Sequence, residues 1–152
     1  MKKSKKGTIA VLATGELGFL ITGVRSAILS ALDKALEPLG ISAAQFVVFR
    51  SIADGRGSTI GELCRVLGYD SGAMTRLLDR IEKKDLIRRV ANPQDRRSFL
   101  IELTERSALL VPQARRRVQK VFAQLLNGFD EKEAAALKTS LEQILLNAAR
   151  IA

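Results

Sequence analysis

Histidine and tryptophan are absent from this chain, and cysteine occurs once, as Cys64. Without histidine, zinc sites built on His and Cys are excluded, and so are serine or cysteine nucleophiles that rely on a His base. One cysteine cannot close an intrachain disulfide, which fits a reducing cytoplasm. Carboxylate, lysine and tyrosine chemistry stays formally open, but no constellation in the sequence needs it, so neither an enzyme, a metal nor a cofactor is expected. Aromatic residues make up 5% of the 152 residues and apolar residues 47%. The core must then be built mainly from Leu, Ile, Val and Ala, which suits a helical chain of about one domain. Long apolar runs are scarce too. The run that starts at Ile9 is short and Glu16 interrupts it, well below the roughly 20 residues a membrane span requires. The start of the chain, with Lys2, Lys3, Lys5 and Lys6, reads as a flexible basic tail over residues 1–8. That tail either touches a polyanion or is simply solvated.

Positive charge is what the chain has in excess. Its formal net charge is +9 and its pI about 10.2, which raises the odds of a polyanionic partner. From Leu17 the residues Leu20, Ile21, Val24, Ile28, Leu32 and Leu36 recur at helical spacing, until Pro38 and Gly40 stop the helix. Ser42 with Gln45 forms a capping box, and Ile41 with Phe46 a hydrophobic staple, so a second helix runs to about Ala53. Thr59 with Glu62 caps a short third helix, whose apolar face is Ile60, Leu63, Cys64 and Leu67 and whose stop is Gly68. Cys64 reads as a small buried core residue; a redox thiol is the alternative. Asp70 or Ser71 caps the next helix, with Met74, Leu77, Leu78 and Ile81 inward. Gly72, Thr75, Arg76, Asp79, Arg80 and Lys83 lie outward, where Asp79 and Lys83 have the spacing of an ordinary surface pair.

Two short helices so tightly joined form a helix-turn-helix candidate. "IRRVA" and "SFLIELT" follow as strands around the turn "NPQDRR", in the order of a winged helix. Thr104 caps a further helix with the stripe Val118, Val121, Phe122 and Leu125. Pro112 should kink it or mark an irregular first part. After Gly128, Asp130 and Glu133 open a last helix with Leu137, Leu141, Ile144 and Leu145 on one face. The apolar faces of these terminal helices need a partner, either the first helix or a second subunit. "RRR" at Arg115–Arg117 reads as a solvated helix face, with a role near DNA phosphates as the minor alternative.

With "ISAAQF", "TIGELCRVLG", "GAMTRLLDRIEKKDLI" and "NPQDRRSFLIELTE" in this order and spacing, the chain resembles the MarR family of bacterial winged-helix transcription regulators. The resemblance covers nearly everything from Leu17 onward. It implies a mainly α fold with a small β-hairpin wing: a winged helix-turn-helix lobe over residues 41–103 and a helical dimerisation region over 9–38 and 104–152. It also implies an obligate homodimer that binds double-stranded DNA, usually as a repressor, and is often released by a small anionic or phenolic effector. Activators and effector-independent members also exist. The chain departs from the family pattern at Asp85, where glycine is common, and at "ERS" after Thr104. Asp tolerates the left-handed conformation that such a helix end often needs.

On this reading Ser71, Gly72, Thr75, Arg76 and Arg80 face the major groove. Gly72 allows close approach, and Thr75 donates to phosphate or meets a thymine methyl. Arg76, which matches a base-contacting position of the family, makes two hydrogen bonds to guanine. At the hairpin tip Asp95 braces the wing, the arginine aligned with the family's groove residue is Arg97, and Arg96 takes a groove or a phosphate role. A merely charged, edge-protecting turn is the plain alternative. Arg25, Phe46, Phe49 and Arg50 are weak candidates for an effector pocket, with ordinary packing at least as good an account of them. The competing function is a winged-helix module that docks another protein.

Overall fold

The computed structural model describes residues 13–151; the basic tail at Lys2–Lys6 lies outside them. A π-helical turn over Ala13–Leu17 leads into α1 (Gly18–Leu36), and a 3-10 turn over Glu37–Leu39 leads to α2 (Ala43–Ala53). Then come α3 (Ile60–Leu67), α4 (Ser71–Glu82), β1 (Ile87–Ala91), β2 (Phe99–Leu103), α5 (Glu105–Leu125) and α6 (Glu131–Ala148). The chain divides into two compact units, Met1–Val118 and Gln119–Ala152.

Local chemistry sets the helix ends of the first unit. Ser42 and Gln45 form the reciprocal box before α2, and Thr59 and Glu62 the one before α3. Each box stabilises its helix by about 1 kcal/mol. A long-range cap accompanies the first: Asp33 of α1 accepts from the Ala43 amide at 2.7 Å. Of the two possible caps for α4, Asp70 is used, accepting from the Ala73 amide at 2.8 Å. Gly68, at φ 68°, ends α3 in the left-handed conformation, and Asp85 takes the same conformation after α4 at φ 55°. Gly57 is needed for space, since a Cβ there would lie 3.0 Å from the Glu62 Cβ.

The core gathers faces from α2, α3, α4 and the first part of α5, together with Leu32 and Leu36 at the end of α1; α6 has no buried residue. Leu36, Phe49, Leu63, Leu78, Ile81 and Ile101 are all at most 1% exposed. Met74, Leu77, Leu78 and Ile81 turn α4 inward as its spacing predicts, each stabilising the fold by roughly 1.5–3 kcal/mol. Both staple residues, Ile41 and Phe46, are buried. Strands β1 and β2 pair antiparallel with Ile87 opposite Leu103 and Arg89 opposite Ile101. The Ile101 amide also donates to the Ser58 carbonyl at 2.6 Å, which ties the segment before α3 to β2.

Several expectations are corrected. Only Leu63 is buried on α3, and Cys64 is half-buried because the short helix presents a narrow face to the core. The buried stripe of α5 is Ser107, Val111, Ala114 and Val118; Phe122 and Leu125, which fall in the second unit, are exposed. Helix α5 is continuous through Pro112, whose ring nitrogen has no hydrogen to donate back along the helix. Asp79 pairs with Arg89 rather than Lys83. Arg115 meets Asp54 and Arg117 donates to the Ala35 carbonyl, so "RRR" is not simply solvated. On α1 only Leu32 and Leu36 are buried, and Phe19, Leu20 and Val24 are exposed. Residues 15–39 are long and apolar enough, by length and composition alone, to cross a membrane, a longer stretch than the run from Ile9 to Glu16. Arg25 lies in the middle of that stretch.

Candidate nucleic-acid interface

The outward face of α4 begins at Ser71 and Gly72, both exposed, immediately after the Asp70 cap. A Cβ at position 72 would stand 3.4 Å from the Arg76 Nη1 and 3.3 Å from the Asp70 Oδ1. The missing side chain therefore leaves room for the Arg76 guanidinium over the first turn. Thr75 donates its hydroxyl to the Ser71 carbonyl at 2.8 Å. Its methyl and oxygen lone pairs remain for a ligand, but its proton is engaged, which narrows the role expected of it. Arg76 and Arg80 are exposed.

At the hairpin tip the backbone is closed on itself. Asp95 accepts from the Arg97 amide through Oδ1 at 3.0 Å, and its carbonyl accepts from the Ser98 amide at 3.0 Å. Asn92 adds a bond from Nδ2 to the Ser98 Oγ at 2.9 Å and accepts from the Gln94 amide at 3.0 Å. These bonds fix the loop backbone and leave the side chains of Arg96 and Arg97 exposed. Asp95 thus binds the tip through both its side chain and its carbonyl.

The hairpin is tied to α4 by residues that sequence reasoning missed. Arg89 of β1 donates to Asp79 at 2.7 Å and also to Glu82, both on α4. Opposite in register, Arg88 and Glu102 pair across the strands at 2.7 Å. The arginines therefore sort into two sets. Arg50, Arg56, Arg88, Arg89 and Arg115 meet carboxylates, whereas Arg76, Arg80, Arg96 and Arg97 form no ion pair among the described residues. Arg25, Arg65, Arg106, Arg116, Arg117 and Arg150 also form no ion pair among the described residues, so what sets Arg76, Arg80, Arg96 and Arg97 apart is their place: four exposed guanidinium groups on the outward face of α4 and at the hairpin tip, left for a partner.

The effector candidates are not brought together. Phe46 and Phe49 are 3% and 0% exposed in the core, because α2 turns that face inward. Arg50 pairs with Asp54 at the end of α2, and Arg25 is exposed on α1. An open groove of about 470 Å3 lies elsewhere, lined by Asp33, Lys34, Ile41, Ser42, Gln45 and Lys84 among others. Among the described residues no group of three His, Cys, Asp or Glu side chains could hold a metal ion.

Glu62 and Asp54 are held below the usual carboxylate range. For Glu62 the main causes are the hydrogen bonds from the Ser58 and Thr59 amides, opposed by some desolvation. For Asp54 the main cause is the hydrogen bond from Arg115, again opposed by desolvation, with Arg50 adding to the lowering.

Two helices joined through Gly68, Tyr69 and Asp70, with an antiparallel hairpin following the second and clasped to it, define a winged helix-turn-helix. Known proteins agree. The MarR family model matches residues 39–98. The multiple antibiotic resistance protein MarR of Escherichia coli K12 is 38% identical over 130 residues, covering 85% of this chain and 90% of that protein. A mutant MarR from E. coli, solved in complex with operator DNA, superposes with a TM-score of 0.81 at 36% identity, over 90% of this chain and 99% of the other. A MarR transcriptional regulator from Methanosarcina mazei Go1 gives the same TM-score, 0.81, at 24% identity over 90% and 99% of the two chains, which bears on the fold alone. The chain belongs to the MarR family of winged-helix transcriptional regulators.

Proposed function

We propose that this protein is a sequence-specific repressor that works in the cytoplasm as a homodimer on a pseudo-palindromic operator. It acts by binding and not by catalysis. Residues 41–103 are the DNA-reading lobe, 9–38 and 104–152 the association region, and 1–8 a basic tail. The single observation that carries the reading is a placement: Arg76, Arg80, Arg96 and Arg97, exposed and without ion pairs among the described residues, stand on the outward face of α4 and at the tip of the hairpin that Arg89 clasps to it. The operator-bound relative supports it.

Helix α4 enters the major groove, with Ser71 and the α4 N-terminus at phosphate and Arg76 on guanine O6 and N7. Gly72 lets the backbone approach closely. Arg80 reaches phosphate or a base edge. The wing, braced by Asp95, places Arg97 in the adjacent minor groove, where A·T-rich DNA is narrow and most negative. Arg96 serves the groove or a flanking phosphate. Exposed Phe19, Leu20 and Val24 on α1 are covered by the second copy, since so contiguous an apolar face is rare on a lone soluble chain. That accounts for the apolarity of α1 without a membrane. Two α4 helices then stand about 34–36 Å apart, one DNA turn. A small anionic or phenolic compound releases the DNA if it favours a conformation with different spacing; of the candidates for meeting it, Arg25 is exposed and without an ion pair among the described residues, whereas Arg50 would have to leave Asp54.

The test starts with selection of bound duplexes from a random pool. Arg76→Ala should lower affinity for the selected site by about 5- to 150-fold, and far less for random DNA. Binding that hardly responds to salt would instead point to a protein partner, because phosphate contacts make affinity fall steeply with salt.

A further inference from the structure

Helix α5 carries three arginines that each donate at the C-terminal end of a different helix. Arg106 donates to the Lys84 carbonyl at 3.2 Å, just beyond α4. Arg115 donates to Asp54, the C-cap of α2. Arg117 donates to the Ala35 carbonyl at 3.3 Å, in the last turn of α1. Helix C-termini carry partial negative charge and free carbonyls, so a guanidinium is suited to all three places. The start of α5 is held further to the end of α4: the Thr104 hydroxyl donates to the Asp85 carbonyl at 3.0 Å, and the Thr104 amide to the Leu86 carbonyl at 3.3 Å. Between these anchors Ser107, Val111, Ala114 and Val118 face the core. Arg116, beside two anchored neighbours, is exposed and forms no ion pair among the described residues.

We propose that Arg106 and Arg117 are positioning residues for DNA recognition, making α5 a strut that sets where α4 sits relative to α1. The inference rests on the proposed DNA-binding function and names residues that govern its spacing. If α1 contributes to the dimer contact, the placement of α4 relative to α1 decides how far apart two recognition helices stand. The anchors at 106 and 117 are 11 residues apart, or about 16 Å along a helix. A tilt of about 10° over that length moves one end by about 3 Å, close to the rise of about 3.4 Å per base pair. Loss of either anchor therefore blurs half-site spacing by about one base pair. Both contacts are solvent-exposed, so each adds little to folding; what they contribute is directional restraint.

The experiment uses the full chain and a duplex it selects from a random pool, together with versions carrying one base pair more or fewer between half-sites. Fluorescence anisotropy gives the affinity ratio between native and altered spacing, expected to be about tenfold or more for the unaltered protein. Arg106→Ala and Arg117→Ala should each shrink that ratio about threefold, Arg106→Lys should restore at least half of the loss on a logarithmic scale, and Arg116→Ala should leave it alone. An unchanged ratio in folded Arg106→Ala, or an equal drop in Arg116→Ala, overturns the strut while DNA binding stands. Should Arg106→Ala not fold, the ratio in Arg117→Ala and Arg106→Lys decides by the same criteria. A protein that selects no duplex at all refutes the DNA-binding reading itself and the strut with it.

Discussion

Replacing Arg89 with alanine should loosen the wing from the recognition helix, and the size of the effect follows from what Arg89 holds. Its side chain is 22% exposed and donates to two carboxylates, Asp79 at 2.7 Å and Glu82. These lie at i and i+3 on α4, so removing the cation also leaves two like charges side by side. A charge-assisted hydrogen bond contributes about 1.5–3 kcal/mol when shielded from water. Here the carboxylates are 47% and 36% exposed, and screening brings each contact toward the upper end of the exposed range, about 1 kcal/mol. The sum is about 2 kcal/mol for Arg89→Ala. Urea unfolding at one fixed protein concentration measures it, because stability of an associating chain depends on concentration. The midpoint should fall with little change in slope. A double-mutant cycle with Asp79→Ala should return a coupling of about 0.5–1.5 kcal/mol. DNA binding supplies an independent readout: with the wing unclamped, the loss of affinity should be largest on sites with A·T-rich flanks. A coupling below about 0.3 kcal/mol, together with an unchanged preference for those flanks, would refute the reasoning.

Gly72→Ala should leave stability within about 1 kcal/mol, since better helix propensity offsets the tight contact with Arg76. It should still weaken operator binding by about tenfold or more, read by anisotropy against a thermal melt of the same sample. Glu62 gives a pH dependence whose sign is set by its lowered pKa. Its stabilisation is present above the ordinary value of 4.5 and is lost as pH falls through the depressed folded-state value, because the unfolded chain then binds the proton more readily. The stability difference between the unaltered protein and Glu62→Gln should therefore shrink as pH falls from above 4.5 toward the depressed folded-state value; a difference that grows toward acid contradicts the assignment. Asp85 is left-handed at φ 55°, so Asp85→Val should cost more than about 1 kcal/mol while Asp85→Gly stays within about 0.5 kcal/mol, as read from urea midpoints.

What was legible in the sequence is what short spacings encode. The boxes at Ser42/Gln45, Thr59/Glu62 and Asp130/Glu133 all form, because each needs residues only three apart whatever the rest of the chain does. The inward stripe of α4 and the hairpin turn follow the same logic, with period and turn chemistry acting over a few residues. Phe46 and Phe49 show where that logic stops: a residue's type marks it as apolar, but whether it meets a cavity or the core depends on what the fold lays over it. Cys64 shares a face with Leu63, yet only Leu63 is covered. On α5 apolar spacing finds Val118 but not the start of the buried stripe, since Ser107 and Ala114 carry no strong apolar signal although both are wholly buried.

Charge pairing is the part that periodicity could not supply, and it separates reading residues from holding residues. The chain has 25 basic and 16 acidic residues, so carboxylates are the scarcer partner and the fold decides which cations meet one. Local spacing offers Asp79–Lys83; the fold chooses Asp79–Arg89, ten residues apart, and Asp54–Arg115, 61 apart. Both choices have one physical reason. Arg89 and Arg115 come from elements packed against the carboxylate's own helix, and they form their pairs partly shielded by it. Lys83 is exposed on the outward face and would gain only a screened contact. With the partly shielded carboxylates occupied by such holding residues, Arg76, Arg80, Arg96 and Arg97 keep their full charge on the surface. A change that gave any of these four a carboxylate partner, such as Gly72→Asp beside Arg76, would therefore weaken DNA binding further than Gly72→Ala does, by supplying a competitor for the phosphate or base edge on top of the lost close approach.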